Sequence, residues 1–343
     1  MNKKILIPLA AAVCLMAGSC AKKTVSTTGQ YAKEYIQLWV DKYYPGINPN
    51  ENGLYILSDT PGSGDQWDSE NPYVLVSSTI RTLDGTISST TSEELARQLG
   101  TYAKGNYYGP KYQTIYEGYS YAGVDAMLQG MRIGGTRKAI IPAWMLTTSR
   151  YSTQQEYINN CPASTHLIYE LTLEGQTQDP AEDEINNLKR YILTNYGNIE
   201  SVVYDKETEA DGTFYFISDV TGFKEEDALS TTATVKINYT GKLLNGTIFD
   251  STIEKVAKDA GIYSASRTYA PKSASLAESY SDITVDDSSS YISGFKGGLS
   301  LMKWKGQKAT VLFTSKHGYT SSGKGSAIPG YATLIFELEI VAD

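Results

Sequence analysis

The chain has 343 residues, which is enough for two or three domains. Hydrophobic residues make up 41% and charged residues 20% of it, a composition typical of soluble globular domains. The formal net charge of −8 argues against a nucleic-acid partner, because phosphate binding needs a basic face.

The first residues predict a secretory signal. Lys3 and Lys4 precede an apolar run over residues 5–16, and small residues fill positions 17–19. Cys20 follows directly, and this arrangement resembles the lipobox of bacterial lipoproteins, although Ala17 stands where Leu is more usual. We therefore predict a signal peptide over 1–19, a lipid anchor on Cys20 and a polar tether over 20–30. The alternative is an ordinary cleaved signal followed by an incidental cysteine.

The elements predicted after residue 30 form two similar series. Each begins with an amphipathic helix whose apolar residues recur at helical spacing. These residues are Tyr31, Tyr35, Leu38 and Trp39 in the first series and Ile185, Leu188, Tyr191 and Ile192 in the second. Each series continues with two strands, an Asp-Gly or Asn-Gly turn, a short helix, a second short buried helix and two final strands. Strands joined by hairpins and long loops indicate an antiparallel α+β fold that occurs twice.

The two series are a tandem duplication, and over residues 83–111 the register to the second copy has no gap. Leu83-Asp84-Gly85-Thr86-Ile87 recurs as Leu244-Asn245-Gly246-Thr247-Ile248, which lies 161 positions later, and the same offset relates residues 108–111 to 269–272. We place the first copy at 31–175, a linker at 176–184 and the second copy at 185–343. Cys161 is the one cysteine beyond Cys20, so we expect no disulfide within the mature chain and no metal or catalytic role for its thiol.

The second copy carries four sequence blocks in a recognisable order. They are VKINYTGKLLNGTIFDS at 235–251, ISGF at 292–295, GY at 318–319 and IPGYATLIFEL at 328–338. Together they resemble the FKBP-type peptidyl-prolyl cis-trans isomerases. The resemblance implies two FKBP-like domains, each an antiparallel half-barrel sheet wrapped around a short helix and preceded by an amphipathic helix.

The resemblance also implies a binding cleft in the second copy. Its apolar walls would be formed by Tyr239, Phe249, Tyr319, Ile328 and Phe336, with Phe295 as the floor where the family commonly has Trp. The Ile292 N–H and the Tyr319 hydroxyl would bind substrate carbonyls, and Asp250 would be the carboxylate that faces the reacting amide. Tyr291 would line the substrate site, although Ser290 and Tyr291 depart from the usual family residues. Isomerisation cuts no bond, so we expect neither a metal nor a cofactor.

The first copy lacks these residue types at the matching positions. Ser78, Ser88, Ser89 and Val124 stand where the second copy has Tyr239, Phe249, Asp250 and Phe295. Tyr169, which corresponds to Phe336, is the one aromatic residue retained. We therefore predict a degenerate first copy without isomerase activity.

These observations favour a peptidyl-prolyl isomerase that is anchored in the bacterial cell envelope, on the periplasmic side or at the outer membrane. Its expected partners are proline-containing unfolded or partly folded envelope proteins, together with the membrane through the lipid on Cys20. One alternative is a non-catalytic chaperone or protein-binding module that keeps the same fold. A glycan-binding surface lipoprotein is a third interpretation, supported only by the 27 tyrosines.

Overall fold

The computed structural model describes residues 28–204 and 212–342. The predicted signal peptide, Cys20 and most of the predicted tether lie outside these residues. Within them, no helix is both long and apolar enough to cross a membrane.

The first domain contains one antiparallel sheet and four helices among the described residues. Its elements are α1 (Thr28–Tyr43), β1 (Tyr55–Thr60), β2 (Tyr73–Thr82), β3 (Ile87–Thr90), α2 (Glu93–Gln98), β4 (Lys111–Thr114), α3 (Ala122–Leu128), β5 (Thr136–Ile141), α4 (Gln154–Asn159) and β6 (Leu167–Thr177). The strand order is β1-β5-β6-β2-β3, and β4 also pairs with β2.

The second domain repeats this architecture. Its elements are α5 (Pro180–Tyr196), β7 (Phe214–Ile217), β8 (Thr234–Leu243), β9 (Ile248–Ser251), α6 (Glu254–Asp259), β10 (Lys272–Ser275), β11 (Thr284–Val285), α7 (Ser293–Ser300), β12 (Lys308–Phe313) and β13 (Leu334–Ile340). The strand order is β7-β12-β13-β8-β10-β11, and β9 also pairs with β8. The predicted α+β fold with two antiparallel sheets is therefore confirmed.

Strand pairing in the two domains agrees residue by residue. Ile80 pairs with Ser89 in the first domain, and Gly241 pairs with Asp250 in the second. A register shift follows immediately after Ile80 and after Gly241. The offset of 161 therefore holds in three dimensions for these strands, so their corresponding side chains can be compared directly.

A glycine near the start of the buried helix lets that helix lie close to the sheet in each domain. A Cβ atom at Gly123 of α3 would lie 2.2 Å from Ile141 Cγ2. A Cβ atom at Gly294 of α7 would lie 2.6 Å from the ring of Phe313. Both contacts are far below van der Waals separation, so a larger residue would push the helix away from its sheet. This close packing places the first turn of α7 beside the cleft.

The buried face of α1 differs from the face that the sequence pattern predicted. Tyr31, Tyr35 and Leu38 are 59%, 55% and 71% exposed. The residues that pack into the first core are instead Ala32, Ile36 and Val40. These side chains also recur at helical spacing, so two faces of one helix fitted the pattern. The face with Ala32, Ile36 and Val40 is the buried one because the first core, together with α4, packs against it.

Little of the segment 176–184 is irregular. Strand β6 continues to Thr177 and α5 begins at Pro180, with Asp179 as its N-cap. Glu184 of α5 is buried, and its Oε2 accepts hydrogen bonds from the Ser315 N–H and hydroxyl at 3.0 and 2.9 Å. Helix α5 is therefore fastened to the second domain from its first turns, and only positions 178 and 179 lie between regular elements.

Candidate active site

The second domain has a cleft of about 440 Å³ between its sheet, the first turn of α7 and the loop over residues 314–333. All nine residues that the sequence assigned to substrate binding or catalysis line this cleft. They are Tyr239, Phe249, Asp250, Tyr291, Ile292, Phe295, Tyr319, Ile328 and Phe336. The structure thus brings the predicted set together, while the role of each residue stays a prediction.

Aromatic rings form the floor of the cleft. Phe295 is 1% exposed, and its ring lies 5.2 Å from Tyr239 and 5.1 Å from Phe336, in edge-to-face geometry in both cases. Tyr291 stacks on the same ring at 5.2 Å. Phe249, which is half-buried, meets Phe336 edge-on at 5.7 Å. Edge-to-face packing adds stability beyond area burial, so these rings form a firm apolar surface.

Asp250 is the carboxylate of the cleft, and it is held from two sides. The Tyr239 hydroxyl donates to its Oδ2 at 2.9 Å, and the Arg267 guanidinium pairs with its Oδ1. The two partners of the ion pair are 32% and 35% exposed, so water reaches this side of the cleft. Burial, together with the neighbouring Asp250 charge, raises the pKa of the Tyr239 hydroxyl. Tyr239 therefore stays protonated and remains a donor to Asp250 at physiological pH.

Arg267 lines the cleft and pairs with Asp250, and the sequence did not predict it as a site residue. It lies in the segment between α6 and β10, well after the block that contains Asp250. In the repeat, its counterpart at the 161 offset is Asn106, so a charge is present in only one copy. The sequence does contain a signal for Arg267. It lies between Tyr263 and Tyr269, which recur in the first copy, and it is a charged residue where that copy has Asn106.

The space beneath Phe249 depends on a glycine. A Cβ atom at Gly241 would lie 2.6 Å from Phe249 Cε2 and 2.9 Å from Phe336 Cε1. The first domain has Ile80 at the position of Gly241 and Ser88 at the position of Phe249. In the second domain the large side chain is on β9, whereas in the first domain it is on β2, the strand that corresponds to β8. Each domain therefore combines one small and one large residue at this pair of positions: Gly241 with Phe249, and Ser88 with Ile80.

Polar groups stand at the rim of the cleft. Ile292 is the N-cap residue of α7, and no acceptor for its N–H is found among the described residues. The Tyr319 hydroxyl lies 3.3 Å from Lys324 Nζ, and that ammonium group also lies over the Tyr319 ring. One free backbone donor and one hydroxyl therefore face a groove that is otherwise apolar. This arrangement suits an extended peptide with a nonpolar ring in the groove.

The counterpart of this site in the first domain has a different surface. Tyr169 and Val124 are buried in the first core, and Ser88 and Ser89 lie on β3. The Ser88 hydroxyl donates to the Ile80 carbonyl at 3.2 Å, so it is turned back to its own sheet. The described residues of this domain therefore offer no carboxylate or aromatic wall at the positions equivalent to Asp250 and Phe249.

Among the described residues, no cluster of three or more His, Cys, Asp or Glu side chains is present. The cleft instead combines a fixed charge, an aromatic floor and two hydrogen-bond donors. Such a site can bind and distort a neutral peptide group, and it contains no evident nucleophile. The fold and the cleft define an α+β domain with one antiparallel sheet and an aromatic cleft at its edge.

The chain is similar in sequence to several known proteins. Residues 225–341 match the family described as FKBP-type peptidyl-prolyl cis-trans isomerase. The chain is 31% identical over 137 residues to a probable FKBP-type peptidyl-prolyl cis-trans isomerase of Haemophilus influenzae, covering 40% of this chain and 45% of that protein. It is 32% identical over 107 residues to an FK506-binding protein of Neisseria meningitidis serogroup B, covering 31% of this chain and 76% of that protein. Among solved structures, the three FKBP domains of wheat FKBP73 share 16% identity over 85% of this chain and 95% of theirs, with a TM-score of 0.27.

The chain belongs to the FKBP-type peptidyl-prolyl cis-trans isomerase family, since the Neisseria protein is matched over three quarters of its length at 32% identity. The chain spans about half the length of the Haemophilus relative. The family match lies within the second domain and includes the whole cleft.

Proposed function

We propose that the second domain catalyses cis-trans isomerisation of X–Pro peptide bonds. The observation that carries this proposal is the aromatic cleft with Asp250 fixed at its edge by Tyr239 and Arg267. An X–Pro bond isomerises in tens to hundreds of seconds because its amide resonance must be broken. A site accelerates this step if it binds the twisted amide more tightly than the planar amide.

The cleft has the properties that this preference requires. The proline ring would enter the apolar groove and rest on Phe295, between Phe249 and Phe336. A twisted amide is less dipolar than a planar one, so a water-poor aromatic surface favours it. The free Ile292 N–H and the Tyr319 hydroxyl would bind the carbonyls on either side. These two contacts hold the flanking chain while the central bond rotates.

Asp250 acts as a fixed charge in this mechanism. Its two oxygens are already paired with Tyr239 and Arg267, so it stays oriented without any contribution from the substrate. A preoriented charge costs no reorganisation at the moment of reaction, and it can favour the altered charge distribution of the twisted amide. No proton transfer and no covalent intermediate are needed.

The direct test is an isomerase assay on the protein beginning at Ala21. We expect the cis-to-trans relaxation of a tetrapeptide with a central proline to accelerate in proportion to protein concentration. The control is the same peptide with buffer alone, which relaxes on the uncatalysed time scale. A rate that stays at the uncatalysed value across the concentration series would contradict the proposed activity.

A non-catalytic chaperone or binding module is the second candidate. It is favoured by the Ser88 and Ser89 surface of the first domain and by the long segment between β9 and α7 that borders the cleft. A binding module would suppress aggregation of an unfolded protein while leaving the relaxation of the tetrapeptide unchanged. The same preparation of protein therefore distinguishes the two functions.

We propose further that the protein acts in the bacterial cell envelope as a lipoprotein, on proline-containing unfolded or partly folded envelope proteins. The apolar run over residues 5–16, the small residues after it and Cys20 support this localisation. Several acyl chains on one residue give lasting attachment to a bilayer.

Cys20→Ser is expected to release the protein from the membrane fraction and to stop incorporation of labelled fatty acid. Cys14→Ser serves as the matched control, because Cys14 lies inside the apolar run. We expect the control to fractionate like the natural protein. Continued fatty-acid labelling of the Cys20 variant would show that the anchor lies elsewhere or is absent.

A further inference from the structure

A loop of the first domain reaches the rim of the cleft in the second domain. We call residues 101–109 the bridging loop. The Tyr107 N–H donates to the Ser326 carbonyl at 2.9 Å, and the Ser326 hydroxyl donates to Asn106 Oδ1 at 2.7 Å. The Tyr107 side chain packs against the second core. Ser326 stands two positions before Ile328, which lines the cleft.

The same loop touches the opposite wall. Gly105 faces Ile262, and Lys104 lies against Gly261 with its Nζ 3.4 Å from the Asp259 carbonyl. These partners lie at the end of α6 and in the segment between α6 and Arg267. That segment presents Arg267 to Asp250. The bridging loop therefore contacts both walls, one that carries the Asp250 partner and one that carries Ile328.

The loop has a rigid internal structure, which the second domain repeats. Tyr102 stacks on Tyr108 at 5.3 Å, and the Ala103 N–H donates to the Tyr108 hydroxyl at 3.1 Å. In the second copy, Tyr263 stacks on Tyr269 at 5.3 Å, and the Ser264 N–H donates to the Tyr269 hydroxyl at 3.0 Å. The pairs are related by the offset of 161, so both domains carry the same preformed loop.

Arg267 and Asn106, which occupy the same position in the two loops, make different contacts. Arg267 in the second copy points to Asp250 of its own domain, whereas its counterpart Asn106 in the first copy binds Ser326 of the other domain. The two tips thus serve the same cleft from two sides. This assignment explains why the first copy keeps the loop tyrosines although it lacks the aromatic and acidic cleft residues.

A second contact fixes the end of the rim segment. Tyr331 has a φ of +58°, a left-handed backbone conformation that is costly for a bulky residue. Its ring lies edge-on to Tyr73 and Tyr112 of the first domain, at 6.1 and 5.6 Å. Aromatic contacts of this kind can offset the backbone cost. The segment 326–331, which contains Ile328, is therefore held by the first domain at both ends.

We propose that the first domain is a positioning module for the cleft of the second domain. Its bridging loop sets the spacing of the two walls, and Tyr73 and Tyr112 fix the rim segment, so substrate affinity depends on a domain that does not touch the substrate. The expected kinetic effect rests on the proposed isomerase function. The structural effect on residues 324–331 does not rest on it.

The test is a wedge placed between the bridging loop and the Ile262 wall in the full chain. A Cβ atom at Gly105 would lie 2.6 Å from Ile262 Cγ2, so Gly105→Ala forces the two apart. We expect KM for a central-proline tetrapeptide to rise about threefold to tenfold, the change that loss of one ordinary hydrogen bond produces. We expect kcat to change little, and amide hydrogen exchange over 324–331 to become faster.

Relief of the wedge supplies the matched comparison. Ile262→Ala removes the clashing methyl group, so Gly105→Ala should have no further effect on KM or exchange in that background. Gly175→Ala is the control for the glycine substitution, because its Cβ atom would stand at an ordinary 3.7 Å from Leu75 Cβ. If Gly105→Ala does not fold, Ser326→Ala removes only the hydroxyl bound by Asn106 and should raise KM in the same direction.

The outcomes of these measurements separate the possibilities. Faster exchange over 324–331 with unchanged KM would overturn the proposal, and so would a KM that rises equally in the Ile262→Ala background. If the natural protein has no isomerase activity, the proposed function fails. The positioning role is then tested with the dissociation constant of the same tetrapeptide, measured by titration calorimetry, in place of KM. The same pattern in that constant would support the positioning role, and an unchanged constant in Gly105→Ala would overturn it.

Discussion

Replacing Phe249 and Asp250 by serine is expected to leave the second domain folded and to reduce its kcat/KM to near background. The double substitution gives strand β9 the residues that β3 has at Ser88 and Ser89. It removes one wall of the groove and the fixed charge, and it leaves Tyr239 and Arg267 without their shared acceptor. The Asp250 charge acts on the bound amide, so kcat should fall, and loss of the Phe249 wall should also weaken substrate binding, so kcat/KM should fall further than kcat.

The packing of the first domain suggests how to keep this variant stable. Because Ile80 stands where the second domain has Gly241, adding Gly241→Ile should restore volume beneath the new serine. The new Cβ atom would lie 2.9 Å from Phe336 Cε1, so the Phe336 ring must also shift in this variant. Folding is checked by circular dichroism and a cooperative melt. Ser88→Ala with Ser89→Ala in the first domain is the matched control and should keep full activity. A folded triple variant with undiminished kcat/KM would mean that the cleft is not the active site.

Asp250→Asn separates charge from shape within the same site. Asparagine keeps the volume and can still accept from Tyr239, so we expect little loss of stability. It cannot form the ion pair with Arg267, so the cleft loses its fixed negative charge. We therefore expect kcat to fall while the tetrapeptide still binds.

Phe295→Ala is expected to give the largest loss of stability among the cleft residues. The ring is 1% exposed and is packed against Tyr239, Tyr291 and Phe336. Removing a buried phenyl group from such a site costs about 3–5 kcal/mol in the free energy of unfolding. Phe249→Ala should cost less, because Phe249 is only half-buried.

Urea denaturation of the full chain measures this difference. Val124→Ala is the comparison, because Val124 occupies the same helix position in the first domain and carries fewer buried atoms. We expect the smaller loss in that variant, and we expect it to affect the first domain. If the free energy of unfolding of Phe295→Ala lies within about 1 kcal/mol of that of the natural protein, the neighbouring rings must move to fill the space that Phe295 leaves. That result would contradict the rigid aromatic packing described above.

The repeat explains why so much of the fold was predictable. A gap-free offset of 161 over the duplicated segments requires each strand, turn and bulge there to recur, and the sheet pairings recur in that way. Local chemistry fixed the turns, since Gly85 and Gly246 adopt φ values of +92° and +86° that other residues disfavour. The same offset identified the positions at which the two copies differ, including Phe249 and Asp250.

Patterns within short segments were enough to predict the order of the main elements and the duplication, and the resemblance to the FKBP family predicted nine of the residues that line the cleft. Three other features are visible only in the tertiary structure. They are the buried face of α1, the pairing of Arg267 with Asp250, and the hydrogen bonds between the bridging loop and Ser326. Each joins residues that are distant in sequence or belong to separate domains. Helical or strand periodicity shows which side chains share a face, and only packing against a particular neighbour determines what that face contacts.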